Sequence, residues 1–212
     1  RQRERFLHEI RALARLPHPN LLPVREVLEG DDGLLLVYDY FAGQTLAQML
    51  ANGAVPATQA AACILQLADV LEMAHRQGIV HGGVDPSTVL VAESGLVRLF
   101  GFGSAALRMI EDEWQFHAVD FHSPEHQALE RVRMRRAGYR APECILGQPP
   151  DSRSDVFSLG CLFYELLSGK RAFARKNSEL TLRAVAEQPP RPIDEVAQGV
   201  PAEMVRVLRR CL

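Results

Sequence analysis

The segment IVHGGVDPSTVLV, residues 79–91, constrains the fold of this chain more than any other stretch. It follows a long, mostly apolar run with helical periodicity (57–78), for which Gly78 is a C-terminal stop. It leads into two short apolar runs, TVLVA and LVRLF, joined by the tight turn Glu93-Ser94-Gly95. The pattern predicts an ordered loop held between a helix and a β-hairpin, and functional residues are often found on such loops.

The order of the predicted elements indicates the fold class. An amphipathic helix comes first, with Phe6, Ile10, Leu13 and Leu16 at helical spacing. Two strands around a Gly/Asp turn follow, and the pattern is mostly helical from residue 154 onward. The sequence therefore predicts an α+β chain whose C-terminal part is helical.

Composition excludes several classes of protein. Hydrophobic residues make up 47% of the 212-residue chain, enough for a sizeable core, and the formal net charge of −2 gives no reason to expect a nucleic-acid partner. No apolar run approaches the roughly 18 residues that span a bilayer. The four scattered cysteines lack zinc-site spacing and favour a reducing, cytoplasmic setting, with Cys63 and Cys161 as core residues.

Both ends of the sequence lie inside helical patterns. RQRERFLHEIRALARL begins without an N-cap residue, and AEMVRVLRRCL ends without a Gly or Pro stop. We therefore expect the chain to be part of a longer one.

Four landmarks occur in a fixed order along the chain. They are HPN (18–20), IVHGGVDPSTVLV, VRLFGFG (97–103) and GYRAPE (138–143), the last followed twelve residues after Glu143 by Asp155 in DVFSLG. In this order they resemble the eukaryotic-type Ser/Thr protein kinases, whose signature runs H-R-D-L-x-x-x-N, D-F-G and A-P-E. The resemblance covers nearly the whole chain and implies a two-lobe kinase-like fold.

The resemblance also implies a division of the chain. Residues 1–41 would be a partial N-lobe with the hinge, and residues 42–212 a C-lobe that is incomplete at its C-terminus. The glycine-rich phosphate loop and the strand with the phosphate-binding lysine would lie outside this sequence. Glu9 would occupy the ion-pair position of the regulatory helix, a role that needs the absent lysine; otherwise it is a solvated helix residue.

An adenine pocket is implied by the same alignment. Tyr38 matches the gatekeeper, Asp39-Tyr40-Phe41 the hinge, and Leu90 the floor under the adenine. The chemistry of the loop leads us to expect no cofactor. The pocket would still allow ATP to bind without magnesium.

The positions that carry kinase chemistry are changed in this chain. His81 matches the family, but Gly82 replaces the arginine and Gly83 the aspartate that accepts the hydroxyl proton. Asp85 stands at the loop lysine, which reverses the charge. Thr88 and Gly101 stand at the two magnesium ligands, and magnesium prefers carboxylate oxygens. The resemblance thus predicts no metal site and a catalytically inactive kinase-like domain, a pseudokinase, which is not an enzyme.

The positions with mechanical roles are kept. Leu13, Val24, His81 and Phe102 match the side chains that the family stacks between its lobes. Glu143 and Asp155 match the A-P-E glutamate and the aspartate that anchors the loop backbone. Together with Glu9, these residues are predicted to be structural.

The sequence is compatible with three functions. The leading hypothesis is a binding, scaffolding or allosteric module in intracellular signalling, with protein partners at residues 104–138. Its basic stretch ERVRMRR (130–136) is either a docking or phosphate-binding patch or a solvated loop paired with EDE (111–113). The alternatives are a weak or atypical Ser/Thr kinase, with Asp85 or His81 as base, and a metal-independent ATP-sensing switch. The purely structural interpretations are that His81 is a core histidine and that Asp85 forms a turn.

Overall fold

The computed structural model describes residues 2–14, 16–30, 33–102 and 133–212. Within these ranges we number eight α-helices in chain order. They are α1 (Gln2–Leu13), α2 (Leu46–Leu50), α3 (Ala57–Arg76), α4 (Pro142–Ile145), α5 (Ser152–Ser168), α6 (Ser178–Glu187), α7 (Ile193–Val196) and α8 (Ala202–Cys211). A 3-10 turn, Pro86–Thr88, lies in the loop after α3, and residues 133–137 are also helical.

Five strands form two small antiparallel sheets in the described part of the chain. Strands β1 (Val24–Gly30) and β2 (Gly33–Tyr38) make a hairpin. Strands β3 (Gln44–Thr45), β4 (Val89–Val91) and β5 (Val97–Leu99) form the second sheet in that order. A single bridge between Leu21 and Leu99 connects the segment before β1 to the edge strand β5.

The core of the helical part lies between α3 and α5, which pack against each other. Leu67 and Val70 on α3 and Leu162 and Leu166 on α5 are fully shielded from solvent. Their spacing along each helix places them on one face, so the two apolar faces are buried together. Cys63 and Cys161 are buried in the same core, as predicted.

Helix α5 begins and ends at strong local signals. The Asp151 carboxylate accepts hydrogen bonds from the N–H groups of Arg153 and Ser154, and Ser154 completes the capping box. The helix ends at Gly169, which has a φ of 67°. A Cβ there would lie 2.9 Å from the backbone nitrogen of Ala54, so the position requires glycine for two reasons.

The predicted α+β class is confirmed, with a strand-rich small part followed by a helical remainder. The hairpin around Glu93-Ser94-Gly95 and the end of α3 before Gly78 also agree with prediction. The two-residue strand β3 was not predicted. Among the described residues, no helix combines the length and apolar character required to cross a membrane.

Candidate functional site

A buried carboxylate on α5 holds the loop that follows α3. Asp155 is fully buried, and its Oδ2 accepts a hydrogen bond from the backbone N–H of His81 at 2.9 Å. Its Oδ1 accepts one from the N–H of Gly82 at 2.8 Å, and His75 Nε2 lies 2.7 Å from Oδ2. The loop backbone is therefore fixed to the helical core at His81 and Gly82.

A second set of bonds closes the loop on itself. The Asp85 carboxylate accepts hydrogen bonds from the N–H and the hydroxyl of Ser87 and so caps the 3-10 turn. The Thr88 hydroxyl accepts from the N–H of Asp85 at 3.1 Å and donates to its carbonyl at 2.9 Å. The hydroxyl of Thr88, the residue at the position of one family magnesium ligand, is thus committed to the loop's own backbone.

Three glycines, Gly82, Gly83 and Gly101, stand at family positions that carry catalytic side chains, and they contribute only backbone groups. Gly82 and Gly101 have positive φ values of 69° and 88°, a conformation that suits glycine. The N–H of Gly83 donates to His81 Nδ1 at 3.2 Å. Across the described residues, no group of three or more His, Cys, Asp or Glu side chains is arranged to hold a metal ion. Thr88 offers one hydroxyl, already bonded to the loop backbone, and Gly101 has no side chain, so neither position presents a carboxylate oxygen to magnesium.

His81 is built into the packing between the loop and the residues after β5. It is fully buried, and its ring lies 4.6 Å from that of Phe102. Because Nδ1 accepts the Gly83 N–H, Nε2 carries the hydrogen and donates to the Phe100 carbonyl at 3.0 Å. Both ring nitrogens are thus engaged within the structure.

The residues predicted to stack between the lobes lie together. Leu13 of α1, Val24 of β1 and Phe102 line one small cavity. Tyr38 at the end of β2 and Gly101 line the same cavity. Glu9, the other predicted residue of α1, is partly buried on that helix.

The predicted adenine-pocket residues divide into two environments. Tyr38 is packed edge-on against Phe100, with ring centroids 5.6 Å apart, and burial raises the pKa of its hydroxyl. Asp39 and Tyr40 point to solvent, and Tyr40 is 91% exposed. The structure therefore places only part of the predicted set against protein.

Arg98 is a residue of this region that sequence reasoning missed. It pairs with Leu90 across β4 and β5, so the two side chains share one face of the sheet. Its guanidinium carbon lies 5.0 Å from the centre of the Phe41 ring. Its Nε is buried without a hydrogen-bond partner among the described residues. The alternation of LVRLF carried the signal, because it sets Arg98 apart from the buried Val97 and Leu99.

Glu143 and Asp151 secure the junction between α4 and α5. The Ser154 hydroxyl donates to Glu143, and the N–H of Asp151 donates to Ser154 Oγ at 3.1 Å. Glu143, which was predicted to be structural, thus helps to fix the start of α5, the helix that carries Asp155.

A cleft of about 290 Å³ lies beside the loop, and we call it the Asp85 cleft. Helix α2, residues 85–87, residues 135–139 and the end of α5 surround it. Its lining residues are Ala47, Leu50, Ala51, Asp85, Pro86, Ser87, Arg135, Arg136, Tyr139, Glu165 and Arg171. Glu165 and Arg171 were not predicted, because only the folded chain brings them beside Asp85.

Two ion pairs lie within the Asp85 cleft. Arg136 Nε lies 3.6 Å from Asp85 Oδ2, and Arg171 Nε lies 3.8 Å from Glu165 Oε1. The hydroxyl of Tyr139 donates to Glu165. Burial raises the pKa of Glu165 to about 7, against a smaller opposing effect from Arg171.

The raised pKa of Glu165 predicts a pH dependence of stability. Because the folded state holds the proton more tightly than the unfolded chain, the stabilisation is complete below the unfolded pKa of about 4.3 and is lost as pH rises through about 7. We expect wild type to lose stability relative to Glu165→Gln as pH rises from about 5 to about 8, measured by urea unfolding. A difference between the two proteins that is constant with pH would contradict this assignment.

Part of the predicted partner region, residues 104–132, lies outside the described residues. Residues 133–138 are described, and Arg135 and Arg136 of the predicted basic stretch line the Asp85 cleft. Its pairing with EDE (111–113) also lies outside the described residues.

Curated relatives match along most of the chain. The "Probable serine/threonine-protein kinase PknB" of Corynebacterium glutamicum is 29% identical over 97% of the chain and 31% of its own length. The "Serine/threonine-protein kinase PkaA" of Streptomyces coelicolor is 32% identical over 98% of the chain and 36% of its own length. The "Serine/threonine-protein kinase pkn2" of Myxococcus xanthus is 32% identical over 92% and 22%. The chain thus spans about a third or less of these relatives.

These relatives contradict one prediction from the sequence, that the chain is not an enzyme. Proteins about 30% identical to it are named serine/threonine-protein kinases. That prediction rested on changed residues at five motif positions, namely Gly82, Gly83, Asp85, Thr88 and Gly101. Changed residue types at those positions show which side chains are missing there, but they do not establish that the domain is inactive.

The family itself follows from the match and the fold together. A sequence model described as "Protein kinase domain" matches residues 1–212. The structure supplies the corresponding arrangement: a strand-rich small part, a helical remainder, and a loop fixed by a buried aspartate between them. The chain belongs to the protein kinase family.

Proposed function

We propose that this protein kinase domain serves as a binding and allosteric module in signalling, with a protein partner in the Asp85 cleft. The observation that carries the proposal is the double fixation of the loop that forms one wall of the cleft. Asp155 holds its start and Asp85 caps its end, so the wall is pre-organised for binding. A pre-organised surface loses little conformational freedom on association, which favours affinity.

An adenine nucleotide is the second ligand of this proposal. Leu90 offers an apolar side chain on the β4–β5 face, beside Arg98 and the hinge residue Phe41. We propose that ATP binds there without magnesium, because Thr88 and Gly101 present no carboxylate to a metal. Binding between the β1–β2 hairpin and the β4–β5 hairpin would bias their relative position, which is the allosteric element of the proposal.

The partner-binding function is tested by comparing the proteins that co-purify with three versions of the protein from its own host. These are wild type, the cleft variant Arg136→Glu and the control Arg209→Glu, whose exposed residue lies on α8. We expect at least one partner to be lost with the cleft variant alone. Identical partner sets for all three would contradict the proposal, provided that the circular dichroism of the variants matches wild type.

Phosphotransfer through Asp85 is a second candidate function, and two findings favour it. The relatives are named serine/threonine-protein kinases, and Asp85 Oδ2 is a buried carboxylate oxygen without a hydrogen-bond partner among the described residues. In this candidate Asp85 accepts the proton of a substrate hydroxyl. The hydroxyl oxygen attacks the terminal phosphate of ATP, and ADP leaves. Transfer of labelled phosphate that is lost in Asp85→Asn would support it, and transfer unchanged in that variant would exclude Asp85 as the base.

A reducing, cytoplasmic setting is part of the proposal. All four cysteines are free thiols, and Cys63, Cys144 and Cys161 are buried. Burial raises the pKa of Cys63 to about 12, which keeps this thiol protonated and unreactive. Unpaired structural thiols are typical of compartments that keep cysteines reduced.

A further inference from the structure

We propose that the Asp85 cleft selects partner segments rich in acidic side chains, and that Asp85 accepts a hydroxyl or amide hydrogen next to the acid. This inference rests on the proposed binding function and specifies its partner chemistry. It assigns the arginines to recognition of the acidic groups and the buried aspartate to the orientation of the segment.

The acidic and basic side chains of the cleft differ in their exposure to solvent. The carboxylates lie at the floor, where the side chains of Asp85 and Glu165 are 6% and 13% exposed. The arginines lie at the mouth, where the side chains of Arg136 and Arg171 are 39% and 32% exposed and Arg135 is exposed. A segment that enters from solvent therefore meets guanidinium groups first.

The balance of charge carries the second step. Three arginines face two carboxylates, and the pKa of Glu165 near 7 leaves that group only partly ionised at neutral pH. Asp85 and Glu165 each already face one arginine. No ion pair is described for Arg135 in the part of the chain that the structure covers. The described lining of the cleft therefore carries more positive than negative charge, and an acidic segment is electrostatically complementary to it.

The unsatisfied oxygen of Asp85 carries the third step. Oδ1 is occupied by Ser87, whereas Oδ2 is buried and has no hydrogen-bond donor among the described residues. Arg136 Nε, at 3.6 Å, is too distant to serve as that donor. A buried acceptor without a donor is costly, so a ligand hydroxyl or amide N–H placed there gains free energy. An Asp- or Glu-containing segment that also carries serine provides both features.

A basic segment fits the same cleft less well. To reach Asp85 or Glu165, a lysine or arginine of the partner would pass Arg135 and displace Arg136 or Arg171. The displaced arginines would then face a like charge near the floor, and such juxtapositions disfavour a wrong partner.

Titration of Glu165 gives the inference a pH dependence. The titratable and charged groups around it are Asp85 on the loop, Arg135, Arg136 and Tyr139 on the segment before α4, and Arg171 after α5. Glu165 gains its charge as pH rises through about 7, which lowers the positive potential of the cleft. An acidic peptide should therefore bind more weakly at pH 8 than at pH 6, although its own carboxylates stay ionised between about pH 6 and 8.

The test measures binding of two fluorescein-labelled peptides by fluorescence anisotropy. One peptide contains Glu, Ser and Gly, and in the other each Glu is replaced by Lys. The proteins compared are wild type, Arg135→Glu and the matched control Arg209→Glu, each as the whole protein. We expect Arg135→Glu to weaken binding of the acidic peptide roughly tenfold and the control to change it less than about twofold. We expect Arg135→Glu to bind the lysine peptide more tightly than wild type does.

Three results would overturn the inference: equal affinity of wild type and Arg135→Glu for the acidic peptide, an equal loss in Arg209→Glu, or tighter binding of the lysine peptide than of the acidic one by wild type. Arg135 is exposed, so its replacement should leave the unfolding midpoint unchanged, and a circular dichroism melt checks this. If the acidic peptide fails while Arg136→Glu still loses a host partner, the binding function stands and only its acidic specificity is refuted.

Discussion

Replacing Asp155 with alanine should lower the free energy of unfolding by about 3 kcal/mol. The carboxylate is fully buried and accepts hydrogen bonds from the N–H groups of His81 and Gly82, with His75 at 2.7 Å. Alanine offers no acceptor, and each buried donor left unpaired costs about 1–3 kcal/mol. Urea unfolding followed by circular dichroism measures the change.

Asp69→Ala is the matched control for this prediction. Asp69 is a solvent-facing carboxylate of α3, 67% exposed in its side chain, and its one described partner is His18 at 3.2 Å. We expect the control to change stability by less than about 0.5 kcal/mol. If Asp155→Ala cost no more than the control, the loop would not depend on the buried carboxylate for its conformation.

The second large effect is expected in the packing of α3 against α5. Leu67 is fully buried between these helices. Leu67→Ala removes buried apolar atoms and leaves a cavity, which should lower the free energy of unfolding by about 3 kcal/mol. The thermal midpoint should fall by several degrees in a domain of this size.

Leu65 supplies a control of identical chemistry on the same helix. It lies two residues away and is 70% exposed. Leu65→Ala should therefore change the unfolding free energy by less than about 0.5 kcal/mol. Equal losses in the two variants would mean that the orientation of α3 described here is wrong.

Much of the fold could be predicted from local patterns. The apolar spacing in α1 and α3 predicts both helices, and the end of α3 before Gly78 follows from glycine's tolerance of positive φ. The two-residue strand β3 could not be predicted, because it exists only through pairing with β4. Strand pairs of this length carry no periodicity of their own.

The candidate site was less accessible from sequence. The loop residues lie close together in the chain, so Asp85 and Thr88 could be identified from a short motif. Glu165 and Arg171 are about 80 residues further along, and only the packing of α5 brings them into the Asp85 cleft. Similarly, the unsatisfied oxygen of Asp85 is a property of burial and hydrogen bonding, which no residue pattern states.

We propose that this protein kinase domain has a pre-organised binding surface and that ATP binds to it without magnesium. The most direct test of this proposal is the thermal unfolding midpoint of the protein with saturating ATP, with and without magnesium. A ligand at about 100 times its dissociation constant adds about 2.7 kcal/mol, a shift of several degrees. We expect ATP to raise the midpoint equally in the presence of magnesium and of EDTA. A shift that appears only with magnesium would show that the site holds the metal despite Thr88 and Gly101, and would contradict the account.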